Sequence, residues 1–218
     1  MANTIASSAS GAVYLILLQL GSRLVTFSLN QILLRLASPK VFGTAAIQLE
    51  FVLNTILFLS REGVRGAMLR QKFPDAPQDR NKLYNTSWIP FFVGLPLSLS
   101  CCSLYLRLAD RSVSTQPHFQ TVVALYGIAA IIELASEPLF LLSQLRLDFR
   151  KRVAVEGIAV VTRSLVTLLS IWYGGEERVL IAFAMGQLAY ASTLVIRYVA
   201  SKPKDQPWLM HSLVISKK

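Results

Sequence analysis

The chain has 218 residues, 53% of them hydrophobic and 16% charged, with a net charge of +10 and a mean hydropathy of +0.49. Soluble domains are rarely so apolar, and the apolar residues fall in blocks of about 20 or more, the length a helix needs to cross a ~30 Å hydrocarbon layer. The basic residues cluster between these blocks, so the charge reads as a topology signal and argues against a nucleic-acid partner.

The predicted fold is an all-α polytopic membrane protein. Six transmembrane helices are expected over about residues 11–36, 41–60, 87–109, 120–145, 153–173 and 179–200. They make one bundle over residues 1–200, followed by a basic cytosolic tail of residues 201–218. The opening MANTIASSASG lacks the basic start of a secretory signal, and the apolar block behind it is too long for one. An uncleaved first membrane helix is expected.

In that first block Gln19, Arg23, Thr26 and Asn30 stand at i, i+4, i+7 and i+11, one stripe of a helix. An Arg at the centre of a lone membrane helix costs roughly 2.5–3.5 kcal/mol, so the stripe faces protein or water. Interhelical hydrogen bonding and a polar cavity wall are the two readings. Arg35 lies at the helix end, where its side chain can snorkel to the interface.

The second block places Glu50, Asn54 and Arg61 on one face. A membrane Glu needs a cation beside it or a proton on it, and Arg23 and Arg61 are the candidate partners. The block ends against Arg61, Glu62, Arg65 and Arg70, and residues 61–86 read as a polar loop rich in Pro, Asp and Asn. Asn85-Thr86-Ser87 matches a glycosylation sequon, expected to face the cytosol and to stay unmodified.

Pro90, Gly94 and Pro96 in the third block predict a kinked helix. Cys101 and Cys102 are the only cysteines. They have neither metal-ligand spacing nor a disulfide framework and read as packing residues. His118 reads as a surface residue of the next loop. In the fourth block Tyr126, Glu133, Glu137 and Gln144 share a face. Carboxyl groups one turn apart repel if both ionise, so a proton or a cation is required. Glycosidase chemistry sets two acids across a sugar from each other, whereas these project from one helix in the same direction. Structural pairing, a proton role and a cavity role remain. Pro138 predicts a bend beside them.

The linker RLDFRKR over residues 146–152 is short and basic. Glu156, Arg163 and Thr167 form the polar stripe of the fifth block, and Gly186, Tyr190, Thr193 and Arg197 that of the sixth. Lys and Arg outside the spans number six in residues 61–86, four in residues 146–152 and four in the tail, while Lys40, Arg111 and Arg178 are those of the alternate loops. The positive-inside rule then places both termini in the cytosol. No GxxxxGK, HExxH or GxSxG is present, so neither an enzyme nor a cofactor or metal is expected. Arginines within helices suit a phosphate-bearing ligand, because guanidinium binds phosphate in a bidentate fork and stays charged.

The runs LLQLGSRLVTFSLNQILLR, FLSREGVRGAMLR, IIELASEPLFLLSQ and FRKRVAVEGIAVVTRS, in this order and spacing, resemble the eukaryotic Rft family, part of the multidrug, oligosaccharidyl-lipid and polysaccharide exporter superfamily. The resemblance covers about residues 8–199. It implies an endoplasmic-reticulum membrane protein of N-glycosylation that moves a mannose-rich dolichyl-diphosphate oligosaccharide from the cytosolic to the luminal leaflet. Arg23, Arg35, Arg61, Glu62, Arg65, Glu133, Glu137, Arg150, Arg152, Glu156 and Arg163 match charged positions of the family.

The expected substrate cavity holds Arg23, Arg35, Arg61, Arg65, Glu133, Glu137 and Arg163. The arginines would neutralise the lipid diphosphate, and Glu133 and Glu137 would contact sugar hydroxyls or pair with those arginines. Glu50, Glu62 and Glu156 are expected as structural charge partners. The superfamily has two bundles of about six helices with the cavity between them. This chain reads as the first bundle, requiring a second as partner, and its tail after Tyr198 reads as truncated or aberrant. The alternatives are a proton-coupled small-molecule antiporter using Glu133 and Glu137, and a non-transporting scaffold of the dolichol pathway.

Overall fold

A computed structural model describes residues 39–70, 77–146, 148–175 and 178–201, and the helical positions Leu20, Gly21, Arg23, Leu24, Phe27, Ser28, Gln31, Ile32 and Arg35. The rest of the predicted first span and residues 202–218 lie outside the described residues. The described elements are helices: α1 (Pro39–Gly43), a π-helical segment (Thr44–Leu49), α2 (Glu50–Met68), α3 (Pro77–Ser87), α4 (Ile89–Leu108), α5 (Arg111–Ser114), α6 (Phe119–Ala135), α7 (Glu137–Leu145), α8 (Phe149–Gly174) and α9 (Val179–Ala200). Among the described residues five stretches are long and apolar enough to cross a membrane: Val41–Met68, Lys82–Leu108, Phe119–Leu145, Arg150–Gly174 and Val179–Ala200. The chain is an all-α polytopic membrane protein.

Three predicted boundaries are corrected. The second span, expected to stop at residue 60, runs on as helix to Met68. Its 28 residues reach about 42 Å at 1.5 Å per residue, more than the hydrocarbon layer. Arg61 and Arg65 therefore occupy its last two turns, where neighbouring carboxylates hold them. The predicted loop over residues 61–86 shrinks accordingly, since α3 starts at Pro77, a residue suited to the first helical turn. The fifth span begins at Phe149 rather than 153, because Asp148 caps it by accepting a hydrogen bond from the Lys151 amide at 3.3 Å. Gly175, with φ 70°, closes that helix in a conformation that favours glycine.

The fourth span is broken where the sequence placed a bend. Pro138 has no N–H to give to the preceding turn. The Ser136 amide closes a tighter turn onto the Glu133 carbonyl at 3.0 Å, and α7 starts at Glu137. The π segment Thr44–Leu49, just before Glu50, had no sequence signature.

Phe119–Leu145 is the central span: 72% of its most apolar window is buried within the protein, against 17% for Lys82–Leu108. Around it α9 packs on both α8 and α6, and α4 packs on both α2 and α6. Small residues permit these approaches, as in membrane bundles generally. A Cβ on Gly186 of α9 would overlap Thr167 Oγ1 of α8 and lie 3.0 Å from the Arg163 carbonyl. A Cβ on Gly94 of α4 would overlap the Leu134 side chain of α6. Phe51, Phe58, Leu99, Leu108 and Ile196 are exposed on the outside of the bundle, the face a bilayer would cover. Trp172 and Tyr173 stand exposed and stacked at the end of α8, where aromatic rings suit a membrane interface.

Candidate functional site

The chain direction alternates through the spans, so the end of α2, the end of α7, the start of α8 and the end of α9 share one end of the bundle. That is where the charged residues meet. Arg61 and Arg65 lie one turn apart on α2. Glu133 and Glu137 lie one turn apart across the break between α6 and α7, with Ser136 between them. The two helices run parallel, and each Arg meets the Glu 72 residues on.

Arg61 Nη1 donates to Glu133 Oε1 at 2.9 Å and stands 3.9 Å from Glu137 Oε2. Arg65 grips Glu137 with two nitrogens, Nε on Oε1 and Nη2 on Oε2, the latter at 2.9 Å. Glu62, more exposed, lies 3.5 Å from Arg65 Nη1 and 3.9 Å from Arg61 Nε. Glu133 and Glu137 are buried. Ionised carboxylates in such a place require cationic partners with good geometry, and the two arginines supply them.

The pairs face a cavity of about 200 Å³, whose lining also includes Ser136, Phe140, Arg152, Glu156, Tyr190, Leu194 and Tyr198. Arg152 Nε donates to Glu156 Oε1 at 2.9 Å, one turn along α8. The guanidinium groups of Arg65 and Arg152 lie over the Phe140 ring, 4.2 and 5.0 Å from its centre, a cation–π arrangement that holds both side chains in place. Phe140 in turn meets Tyr198 edge-on at 6.3 Å. An apolar layer containing Met68, Leu83, Tyr84, Leu139, Leu141, Leu142 and Leu194 surrounds this polar pocket.

Glu50 and Arg163 form a second ion pair deeper in the bundle, joining α2 to α8. The sequence reading offered Arg23 or Arg61 to Glu50. The fold instead directs Arg61 to Glu133 and brings α8 against Glu50, so this expectation is corrected. Buried Tyr126 of α6 lies within electrostatic reach of that pair. Tyr190 of α9 lies within reach of both Arg61 and Arg163, between the two polar layers.

The structure thus brings Arg61, Arg65, Glu133 and Glu137 together, with Glu62 and Glu156 at the edges of the same cluster. It sets Arg163 and Glu50 apart from them. Arg23 and Arg35 are helical and exposed and do not line this cavity. Arg152, Phe140 and Tyr198 were missed as lining residues. Arg152 had been assigned to a linker, though its i,i+4 spacing to Glu156 was a usable signal. Of the α9 stripe Gly186 is buried, Tyr190 and Thr193 are half-buried and Arg197 is exposed, and Tyr190 lines the cavity. His118 is exposed, as its loop position implied. Among the described residues no group of three or more His, Cys, Asp or Glu side chains is placed to hold a metal ion.

The family model described as Rft protein matches residues 7–208. The match runs past Tyr198, so the first residues of the tail also follow the family pattern. Among similar proteins is the Man(5)GlcNAc(2)-PP-dolichol translocation protein RFT1 of Candida glabrata, 34% identical over 90% of this chain and 40% of its own length. The proteins of the same name from Saccharomyces cerevisiae and Yarrowia lipolytica are 31% and 37% identical, over 88% and 91% of this chain and 39% and 32% of theirs. The chain therefore spans about 40% or less of the length of these relatives. No solved structure matches. With a family match over almost its whole length, and with relatives of one name on every side, this chain belongs to the Rft protein family.

Proposed function

We propose that the chain forms the first helical bundle of a translocator of lipid-linked oligosaccharide, moving Man(5)GlcNAc(2)-PP-dolichol from the cytosolic to the luminal leaflet of the endoplasmic reticulum for N-glycosylation. The observation that carries this reading is a polar, charge-lined cavity at one end of an otherwise apolar bundle, in a chain whose relatives bear that name. The basic connections lie at the cavity's end, which the positive-inside rule assigns to the cytosol along with both termini. A ligand head made in the cytosol would meet the cavity there, while its apolar tail stays among the lipid-facing helices. The exposed Arg23 and Arg35 are cations available to the diphosphate. A second bundle would close the other wall, as the greater length of the relatives supports.

The ion pairs weigh against a proton-coupled antiporter, since Glu133 and Glu137 are both engaged by arginines. Nor does the cluster have the two opposed acids that glycoside hydrolysis needs, so the reading is transport without catalysis. The test is complementation of a cell lacking its own family member. The chain joined to the remainder of a relative should restore full-length glycans, and Arg65→Ala in the same fusion should reduce the restoration at least several-fold. Restoration unaffected by Arg65→Ala and Glu133→Ala together would remove the cavity from the mechanism.

A further inference from the structure

The cavity beside Arg61 is neutral overall. Arg61, Arg65 and Arg152 line it, and so do Glu133, Glu137 and Glu156, with each guanidinium bonded to one of those carboxylates. An incoming anion would have to displace a carboxylate from its arginine. The displaced group would stay buried and uncompensated beside the new negative charge, which is strongly unfavourable.

A hydroxyl group meets no such obstacle. It donates one hydrogen bond and accepts others, so it can bridge the lone pairs the carboxylates retain and the N–H groups the arginines retain. Two buried polar atoms beside the lining lack a partner, each covered by neighbouring side chains that a hydroxyl would have to shift to reach it. Tyr198 Oη and Arg61 Nε have no hydrogen-bond partner among the described residues, and Tyr198, a cavity-lining residue only 1% exposed, is otherwise well packed. Orphaned buried polar groups in a native protein point to a ligand or an ordered water. The Phe140 ring is already covered by Arg65 and Arg152, so recognition here would be by hydrogen bonds and not by stacking on that ring. The volume of about 200 Å³ equals that of about six or seven waters in the liquid, a space on the scale of one sugar ring.

We infer that this cavity takes a neutral polyhydroxyl group, a single sugar ring, and that the anionic part of a lipid-linked ligand is held elsewhere. This rests on the translocation reading above and assigns which part of that ligand the cavity contacts. Tyr198 is the residue that distinguishes it, since its hydroxyl has no structural bond to lose.

The test uses the full chain in detergent micelles, titrated with a soluble neutral oligosaccharide of mannose and N-acetylglucosamine and separately with inorganic pyrophosphate, with binding read by ligand-observed NMR. The oligosaccharide is expected to bind with an affinity insensitive to salt, and to weaken by about five-fold in Tyr198→Phe, the effect of one hydrogen bond. The ring and its contact with Phe140 persist in that variant, so its thermal midpoint should not move. Pyrophosphate is expected neither to bind here nor to displace the sugar. Displacement by pyrophosphate would overturn the inference and leave the translocation reading in place, as would sugar binding indifferent to Tyr198→Phe. Absence of oligosaccharide binding would overturn it too. The translocation reading fails on different grounds, by loss of complementation in the fusion with wild-type Tyr198.

Discussion

Arg65 on α2 holds both carboxylate oxygens of Glu137 on α7, and one turn back Arg61 holds one oxygen of Glu133 with a single nitrogen. The four-residue spacing is equal on the two helices, so the pairs form a ladder between parallel helices. The break at Ser136 falls between its rungs. Two charged stripes, each costly alone in a membrane, become mutually satisfying when the helices are set side by side in this register.

Removing one side of a rung leaves a buried charge. Arg65→Ala, which leaves Glu137 only the more distant Arg61 at 3.9 Å, should lower stability by up to about 3–5 kcal/mol. Adding Glu137→Ala to it should recover a substantial part of that loss. Thermal unfolding of the purified single and double variants in detergent checks this, and a double variant as unstable as the sum of the singles would contradict it.

The Glu50–Arg163 pair makes an independent case, because it joins α2 to α8 away from the cavity. Exchanging the charges, Glu50→Arg with Arg163→Glu, should be better tolerated than either change alone, with a coupling of roughly 1–3 kcal/mol. A mutant cycle followed by unfolding supplies the measurement. Glycan transfer in complemented cells should follow stability here and show no separate loss.

Close packing of α8 on α9 depends on Gly186. Gly186→Ala should cost about 1–3 kcal/mol, since its Cβ would overlap Thr167 Oγ1. Thr167→Ala should relieve only part of this, because the Arg163 carbonyl remains 3.0 Å from the same Cβ. The midpoint of thermal unfolding should order the variants as wild type, double variant, Gly186→Ala.

Asn85 tests the orientation. Its sequon lies in the last turn of α3 and the first turns of the membrane-length stretch Lys82–Leu108, at the end of the bundle assigned to the cytosol. The protein expressed in eukaryotic membranes should show no mobility shift on treatment with a glycan-removing amidase. A shift abolished by Asn85→Gln would place α3 in the lumen and reverse the whole topology.

Much of this was open to a reader of the sequence. Apolar blocks about 20 residues long fixed the class, and helical spacing placed Glu133 with Glu137 and required a proton or a cation for them. The same spacing could not say which cation. Arg23, Arg61, Arg65 and Arg163 are equivalent candidates along the chain, and only helix packing assigns Arg61 and Arg65 to the α6–α7 break and Arg163 to Glu50.

Charge was the misleading signal at the helix ends. Arg61, Arg65 and Arg152 read as residues outside a membrane span because an isolated charge there is costly. They stand within helices because carboxylates from other helices meet them, a contact absent from any local pattern. Composition and period therefore determined that this protein is a helical membrane bundle with polar stripes. The tertiary structure alone decided that the stripes close on one another as matched ion pairs around a neutral cavity, because the energy of a buried charge depends on its partner in space rather than on its neighbours in sequence.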